Sequence, residues 1–215
     1  MNISVSRVTG RPKDLEKRAQ IMAAASRLFL ELGFERATVD AIAAAAGVSK
    51  LTVYSHFADK EGLFRALIVA KCAEHFEAMD FVELAPLGPA VALGQIARGF
   101  LALMFHSDVL ALHRVLMTSE RGDTALNKTF WDAGPQPTIA ALAALLARFD
   151  VENALCVAAP TQAADQFFSM LKGTDHLRML LGIGAAPSAR ELADLGDGVV
   201  AMFVRAYAVT EPGDR

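Results

Sequence analysis

Apolar residues recur along most of this chain at the spacing of an α-helix, and Gly, Pro and polar clusters cut the pattern into segments. From Leu15 to Leu32, Ile21, Ala25, Leu28, Phe29 and Leu32 share one face, while Glu16, Lys17, Arg18, Gln20, Arg27 and Glu31 lie elsewhere. Gly33 stops this helix, and Phe34 is placed to pack back on a small core. Val39, Ile42, Ala43 and Ala46 form the apolar face of a short second helix that ends at Gly47. Ser49 opens a third, running to His56. Asp59 opens a fourth, from Lys60 to about Met79, with Leu63, Phe64, Leu67, Ile68, Cys72, His75, Phe76 and Met79 near its inner face. Residues 80–89, DFVELAPLGP, break the pattern. Further helices are predicted over Ala90–Phe105, about Ser107–Met117, about Thr124–Phe149 with a kink or break at Gly134-Pro135, Thr161–Leu181 and Ser188–Val209. The prediction is an all-α protein: a flexible basic arm (1–14), a small helical domain (15–75), a larger one (76–210) and a loose tail (211–215).

The stretch TVDAIAAAAGVSKLTVYSHF, Thr38 to Phe57, has the form helix, tight turn, helix. Thr38 suits an N-cap and Asp40 suits the positive end of the helix dipole. Val48 is placed to plug the angle between the two helices. This is the helix-turn-helix pattern, whose second helix enters the DNA major groove. An αα-hairpin in an all-helical core has the same spacing, and periodicity alone leaves both open.

Composition and charge sharpen this picture. The chain has 215 residues, enough to bury a substantial core, and its Ala- and Leu-rich make-up favours helix. Its net charge of -3 is divided unevenly. Residues 1–65 carry ten Lys/Arg against seven Asp/Glu, and the remainder carries eleven against seventeen, a basic front and an acidic rear. Arg7, Arg11 and Lys13 make the arm basic; arms of this kind often reach into the minor groove beside a helix-turn-helix, and a disordered, solvated terminus is the alternative. Cys72 and Cys156 have neither CxxC nor zinc spacing and read as buried thiols in a reducing cytoplasm. No signal peptide or membrane span is expected, which places the protein in the cytoplasm without a membrane partner. The five histidines lack metal-ligand spacing, so no metal and no cofactor is expected. A helical enzyme, or a small-molecule-binding protein without a DNA role, is the alternative reading. It has neither GxSxG nor HExxH, and the GIGAAP at Gly182–Pro187 lacks a third glycine and a preceding strand. A nonspecific architectural DNA protein would be strongly basic, and this chain is acidic.

Leu28-Phe29, Gly33-Phe34, Thr38, Ile42-Ala43, Ala46-Gly47-Val48-Ser49, Thr52, Tyr54, His56-Phe57, Lys60 and Leu63-Phe64 together resemble the DNA-binding domain of the TetR family of bacterial transcriptional regulators. Gly10-Arg11-Pro12 resembles a frequent prefix in that family. LALHRVLMTSE, FWDAGP and FFSMLKGTDHLRMLLG resemble, less specifically, the AefR-like regulatory domain found within it. The resemblance implies a helical homodimer with nine or more helices, a three-helix DNA-binding domain joined by a long fourth helix to a ligand-binding and dimerisation domain. It also implies a ligand-responsive repressor of a nearby promoter; two recognition helices in a dimer point to a pseudo-palindromic operator, and an apolar pocket to a small apolar or aromatic effector.

Lys50, Leu51, Thr52, Ser55 and His56 form the expected groove-facing set, since Lys, Ser and Thr bond base edges or phosphates and Leu can touch a thymine methyl. By the family pattern Tyr54, Lys60 and Thr38 hold phosphates. With Arg11 of the arm and Ser49 at the helix start, these make up the expected DNA-binding residues. The expected effector-pocket residues are Phe100, Met104, His113, Met117, Phe130, Trp131, Phe167 and Met170, with Arg114 beside His113 at a polar rim. For each of them, simple core packing is the alternative. His176, between Asp175 and Arg178, reads as part of a solvated or dimer-facing turn. The last two helices carry Phe167, Leu171, Leu177, Leu181, Val199, Met202, Phe203 and Tyr207, enough apolar surface for both a core and an isologous interface.

Overall fold

The computed structural model describes residues 11–76, 80–118 and 124–209, with backbone alone at 11–13, 118 and 124. Among these residues there are ten α-helices, one 3₁₀ segment and no strand. The chain divides into two compact units between Leu67 and Ile68. That division falls inside the fourth helix, ahead of the Pro/Gly break at which a boundary is expected from sequence.

The first unit holds α1 (Arg11–Leu32), α2 (Val39–Ala46), α3 (Lys50–His56) and the start of α4 (Lys60–His75). Helix α1 begins four residues before the expected Leu15, so 11–14 belong to a helix and not to an arm. Pro12 does not prevent this, because first-turn amides have no helical acceptor to lose. The rest of the predicted arm lies outside the described residues. Ile21, Ile42 and Leu63 are fully buried, and Phe29, Phe34 and Phe64 pack as a triangle with ring centroids 5.3 to 5.7 Å apart. Helix α3 joins this core through Val53 and Phe57, which are both buried.

The second unit holds the rest of α4, a 3₁₀ segment (Phe81–Leu87), α5 (Pro89–Met104), α6 (Ser107–Thr118), α7 (Thr124–Ala133), α8 (Pro135–Val151), α9 (Pro160–Leu180) and α10 (Ala189–Ala206). Helix α5 packs on α9 and α10, and α8 packs on α9 and the 3₁₀ segment. Their shared core includes Leu93, Ile96, Phe100, Leu142, Leu145, Phe149, Phe167, Leu171 and Phe203. The expected fourth helix, Lys60 to Met79, ends at His75, and 77–79 lie outside the described residues. The break at 80–89 contributes Phe81 and Ala85 to the core. Asp80 caps the 3₁₀ segment by accepting from the Val82 amide at 3.1 Å, and Phe81 buries its ring beside Phe76. Gly134-Pro135 separates two helices where a kink or break is predicted. Helix α9 is interrupted at Gly173 (φ 54°, ψ −163°), which the apolar periodicity does not mark. Cys72 is buried as expected, whereas Cys156 is exposed, because it follows the turn after α8 instead of sitting within a helix. Among the described residues no single helix is long and apolar enough to cross a membrane.

Candidate nucleic-acid interface and effector site

The turn between α2 and α3 is fixed by backbone chemistry. Gly47 sits at φ 66°, a left-handed conformation in which a Cβ would be strained. The Gly47 and Val48 amides then return to the Ala44 and Ala43 carbonyls at 3.2 and 3.0 Å, closing the end of α2. Thr38 and Ser49 are both extended and cap the two helices. The Thr38 hydroxyl accepts from the Ala41 amide at 3.2 Å, and the Ser49 hydroxyl from the Thr52 amide at 3.0 Å. Val48, next after Gly47, is half-buried.

With Val53 and Phe57 turned inward, the opposite face of α3 is left to Lys50, Leu51, Tyr54 and Ser55, all exposed. Leu51 is 79% exposed and Tyr54 43%. The hydroxyls expected on this face are largely engaged by the helix itself. Thr52 Oγ1 lies 2.8 Å from Ser49 Oγ, and the Ser55 hydroxyl donates to the Thr52 carbonyl at 2.7 Å. Lys50 is exposed but paired, its ammonium 2.9 Å from Asp40 Oδ2, and this bond raises its pKa.

Two expected contacts are placed differently from the rest. The His56 side chain is only 8% exposed, and its Nε2 lies 3.3 Å from Asp14 Oδ1, so it turns toward α1 and away from the exposed face. Arg18 adds to the same clamp, its guanidinium 4.8 Å from the centre of the Phe57 ring. The Lys60 ammonium donates to the Phe34 carbonyl at 2.9 Å, lies 3.4 Å from that of Glu35, and sits 4.2 Å over the Phe34 ring. It therefore braces the loop that leads into Thr38. Asp14, Arg18 and Asp40 were absent from the expected set. Their roles depend on side chains meeting across helices, which a one-dimensional period does not show. The side chain of Arg11 lies outside the described residues.

In the second unit the expected pocket residues separate. Phe100 and Met104 are buried on α5, and Phe100 packs against Phe168 with centroids 4.5 Å apart. Phe167 is fully buried in the core, its ring 5.1 Å from that of Phe203, and Phe168 beside it is buried in the same core. Met170 is half-buried beside the core. Met117 and Trp131 point outward, 70% and 50% exposed. Arg114 donates to the carbonyls of Met179 and Leu180, and so ties α6 to the end of α9.

His113 and Phe130 do come together, with perpendicular rings 5.4 Å apart. His176 joins them, 5.6 Å from His113 and 6.0 Å from Phe105. This corrects the sequence expectation for His176, which is 8% exposed and sits inside the unit, beyond the interruption of α9. Burial and the neighbouring His176 and Lys172 lower the pKa of His113 to about 4, and burial with Lys172 also lowers that of His176. A separate cavity of about 250 Å³ is lined by His75, Phe76, Phe81, Leu84, Gln95, Ile96, Arg98 and Gly99, with none of the expected pocket residues on its wall.

Comparison with known proteins gives this geometry a family. The model for the N-terminal domain of bacterial regulatory proteins of the tetR family matches residues 21–67. The model described as the AefR-like transcriptional repressor, C-terminal domain, matches residues 91–209. The HTH-type transcriptional regulator EthR of Mycolicibacterium smegmatis is 33% identical over 148 residues, 65% of this chain and 64% of that protein. The HTH-type transcriptional activator FasR of the same species is 44% identical over 57 residues, 26% of each chain. The repressor AcnR of Corynebacterium glutamicum is 39% identical over 75 residues, 34% of this chain and 40% of that protein. The chain thus spans between 26% and 64% of the length of these curated relatives. Among solved structures, the Flavonoid-responsive Regulator FrrA is 32% identical with a TM-score of 0.73, over 91% of this chain and 98% of that one. A TetR-family regulator from Mesorhizobium loti MAFF303099 shares the fold at a TM-score of 0.76 and 24% identity, over 93% of this chain and all of the other. The chain belongs to the TetR family of transcriptional regulators, helix-turn-helix DNA-binding proteins that are not enzymes.

Proposed function

We propose that this protein is a ligand-responsive repressor that binds a pseudo-palindromic operator as a homodimer and is released by a small aromatic effector. The outer face of α3 carries this reading. A helix that buries Val53 and Phe57 while leaving Leu51 and Tyr54 in solvent has surface suited to a partner. In this reading Leu51 meets thymine methyls, and Lys50 exchanges Asp40 for a phosphate or base edge. Tyr54, Thr38 and the Lys60 ammonium, which keeps a third donor beyond its two carbonyls, hold phosphates. Ser49, Thr52, Ser55 and His56 shape the helix that presents them. The repressor sign is supported by the AefR-like repressor match, although the relatives include the activator FasR. The aromatic effector is supported by the rings around His113 and by the likeness to FrrA, a flavonoid-responsive protein.

The test is fluorescence anisotropy on the DNA upstream of the protein's own gene, with an unrelated duplex as control. Tyr54→Ala is expected to weaken both about ten-fold, because phosphate contacts carry affinity without sequence. Leu51→Ala is expected to weaken the operator more than the control, because base contacts carry discrimination. If both variants bind as tightly as the parent, α3 is not the DNA-reading helix.

A further inference from the structure

His113 and His176 come from different helices, α6 and α9, and their rings meet nearly at right angles with centroids 5.6 Å apart. Each has an aromatic neighbour on its other side, Phe130 for His113 and Phe105 for His176. Among the described residues, the buried atoms His113 Nδ1 and His176 Nε2 have no hydrogen-bond partner. Buried polar atoms are paired in the great majority of cases, by protein, water or ligand. Leaving two unpaired on one aromatic cluster is costly unless something supplies the missing bonds.

The chemistry of the cluster restricts what that partner is. Burial and Lys172 hold both rings toward the neutral form, in which each imidazole has one N–H donor and one bare nitrogen acceptor. Such a pair has little charge with which to capture an anion. It is matched instead by a group that donates and accepts at once, which is what a hydroxyl does. The flanking Phe105 and Phe130 rings suit a flat, apolar body attached to that hydroxyl.

We propose that His113 and His176 together bind the hydroxyl group of an uncharged aromatic effector, such as a phenol. This rests on the reading of the second unit as effector-binding, and adds the class of effector and the residues that select it.

The experiment titrates the full chain by calorimetry with 4-hydroxychalcone, 4-methoxychalcone and 4-carboxychalcone, which differ only in the polar group. The hydroxyl compound is expected to bind about ten-fold or more tighter than either other, since a site built for a hydroxyl rejects analogues that leave its polar groups unpaired. His113→Phe and His176→Phe keep an aromatic ring and are expected to remove that preference. Circular dichroism of both variants matching that of the parent separates loss of the hydroxyl contact from a misfolded unit. The corresponding Asn variants, which keep a donor and an acceptor, are expected to restore part of the preference. Equal binding of all three compounds, tightest binding of the carboxylate, or binding of none overturns the proposal. Binding to the upstream DNA is followed in parallel. If DNA binds while the hydroxyl preference is missing, this proposal alone falls. If the preference holds without DNA binding, the hydroxyl site stands and the repressor reading falls.

Discussion

At the scale of residues, Lys60 and His113 each join a structural contact to a proposed binding role. The Lys60 ammonium donates to the Phe34 carbonyl and covers the Phe34 ring, so truncation removes a charged hydrogen bond and a cation–π contact together. Lys60→Ala is expected to cost about 1–3 kcal/mol of stability in urea. If its remaining donor holds a phosphate, the slope of log K against log salt falls by about one as well. A stability loss with an unchanged slope would leave Lys60 a purely structural brace. His113 makes stability depend on pH. In the unfolded chain its imidazole takes up a proton near pH 6.5, in the folded one only at about 4. Between those values the unfolded state binds more protons, so stability is intact above the window and is lost as the pH falls through it. From pH 7 to pH 5 His113 alone costs about 2 kcal/mol. His176 and Lys172 are the titratable neighbours that act on it, and His113→Phe should flatten this part of the urea-measured profile.

At the scale of elements, what was legible in the sequence was whatever a period or a cap records. Thr38, Gly47 and Ser49 are local signals, and they sit as cap, left-handed turn and cap. Gly134-Pro135 likewise marks a helix break, and Ser188 with Glu191 forms a capping box at the start of α10. The interruption at Gly173 was not legible, because Phe167, Phe168 and Leu171 continue an apolar pattern up to it and a lone glycine is compatible with unbroken helix. Missing it also hid His176, whose burial depends on where α9 turns. Gly99, in the predicted Ala90–Phe105 helix, is legible as a point of close approach, but its partner is not. A Cβ there would overlap the His75 carbonyl oxygen and press on the Phe76 ring, so this glycine lets the end of α4 seat against α5. Gly99→Ala is expected to lower the stability of the second unit by about 1–3 kcal/mol through overpacking. Thermal melting would check this, and an unchanged transition would mean that the end of α4 shifts freely.

At the scale of the whole molecule, a helix of seven residues such as α3 has room for few base contacts, which argues for two copies on one operator. The last two helices leave apolar surface to join them. Phe167, Leu171, Val199 and Phe203 are consumed by the core, whereas Leu177, Leu181 and Met202 remain exposed. Gly198, one turn before Met202, has, beyond its own stretch of helix, no atom of the described residues within 4 Å of where a Cβ would stand. A self-complementary contact on this face would bring Met202 near its own copy across a two-fold axis. Met202→Glu should then place two carboxylates together in an apolar interface, where like charges lacking counter-charges are strongly disfavoured. The substitution is on the surface, so the fold of each chain should survive, read by an unchanged circular dichroism spectrum. Light scattering is expected to show monomers. Operator affinity should fall by about a hundred-fold or more, since each half-site must then be bound without the other. Binding to an unrelated duplex should change much less, because phosphate contacts within one subunit persist. A variant that stays dimeric with full operator affinity would move the interface off α10. In that event the coupling between effector and operator, expected at about 1–3 kcal/mol, would have to run through some other surface.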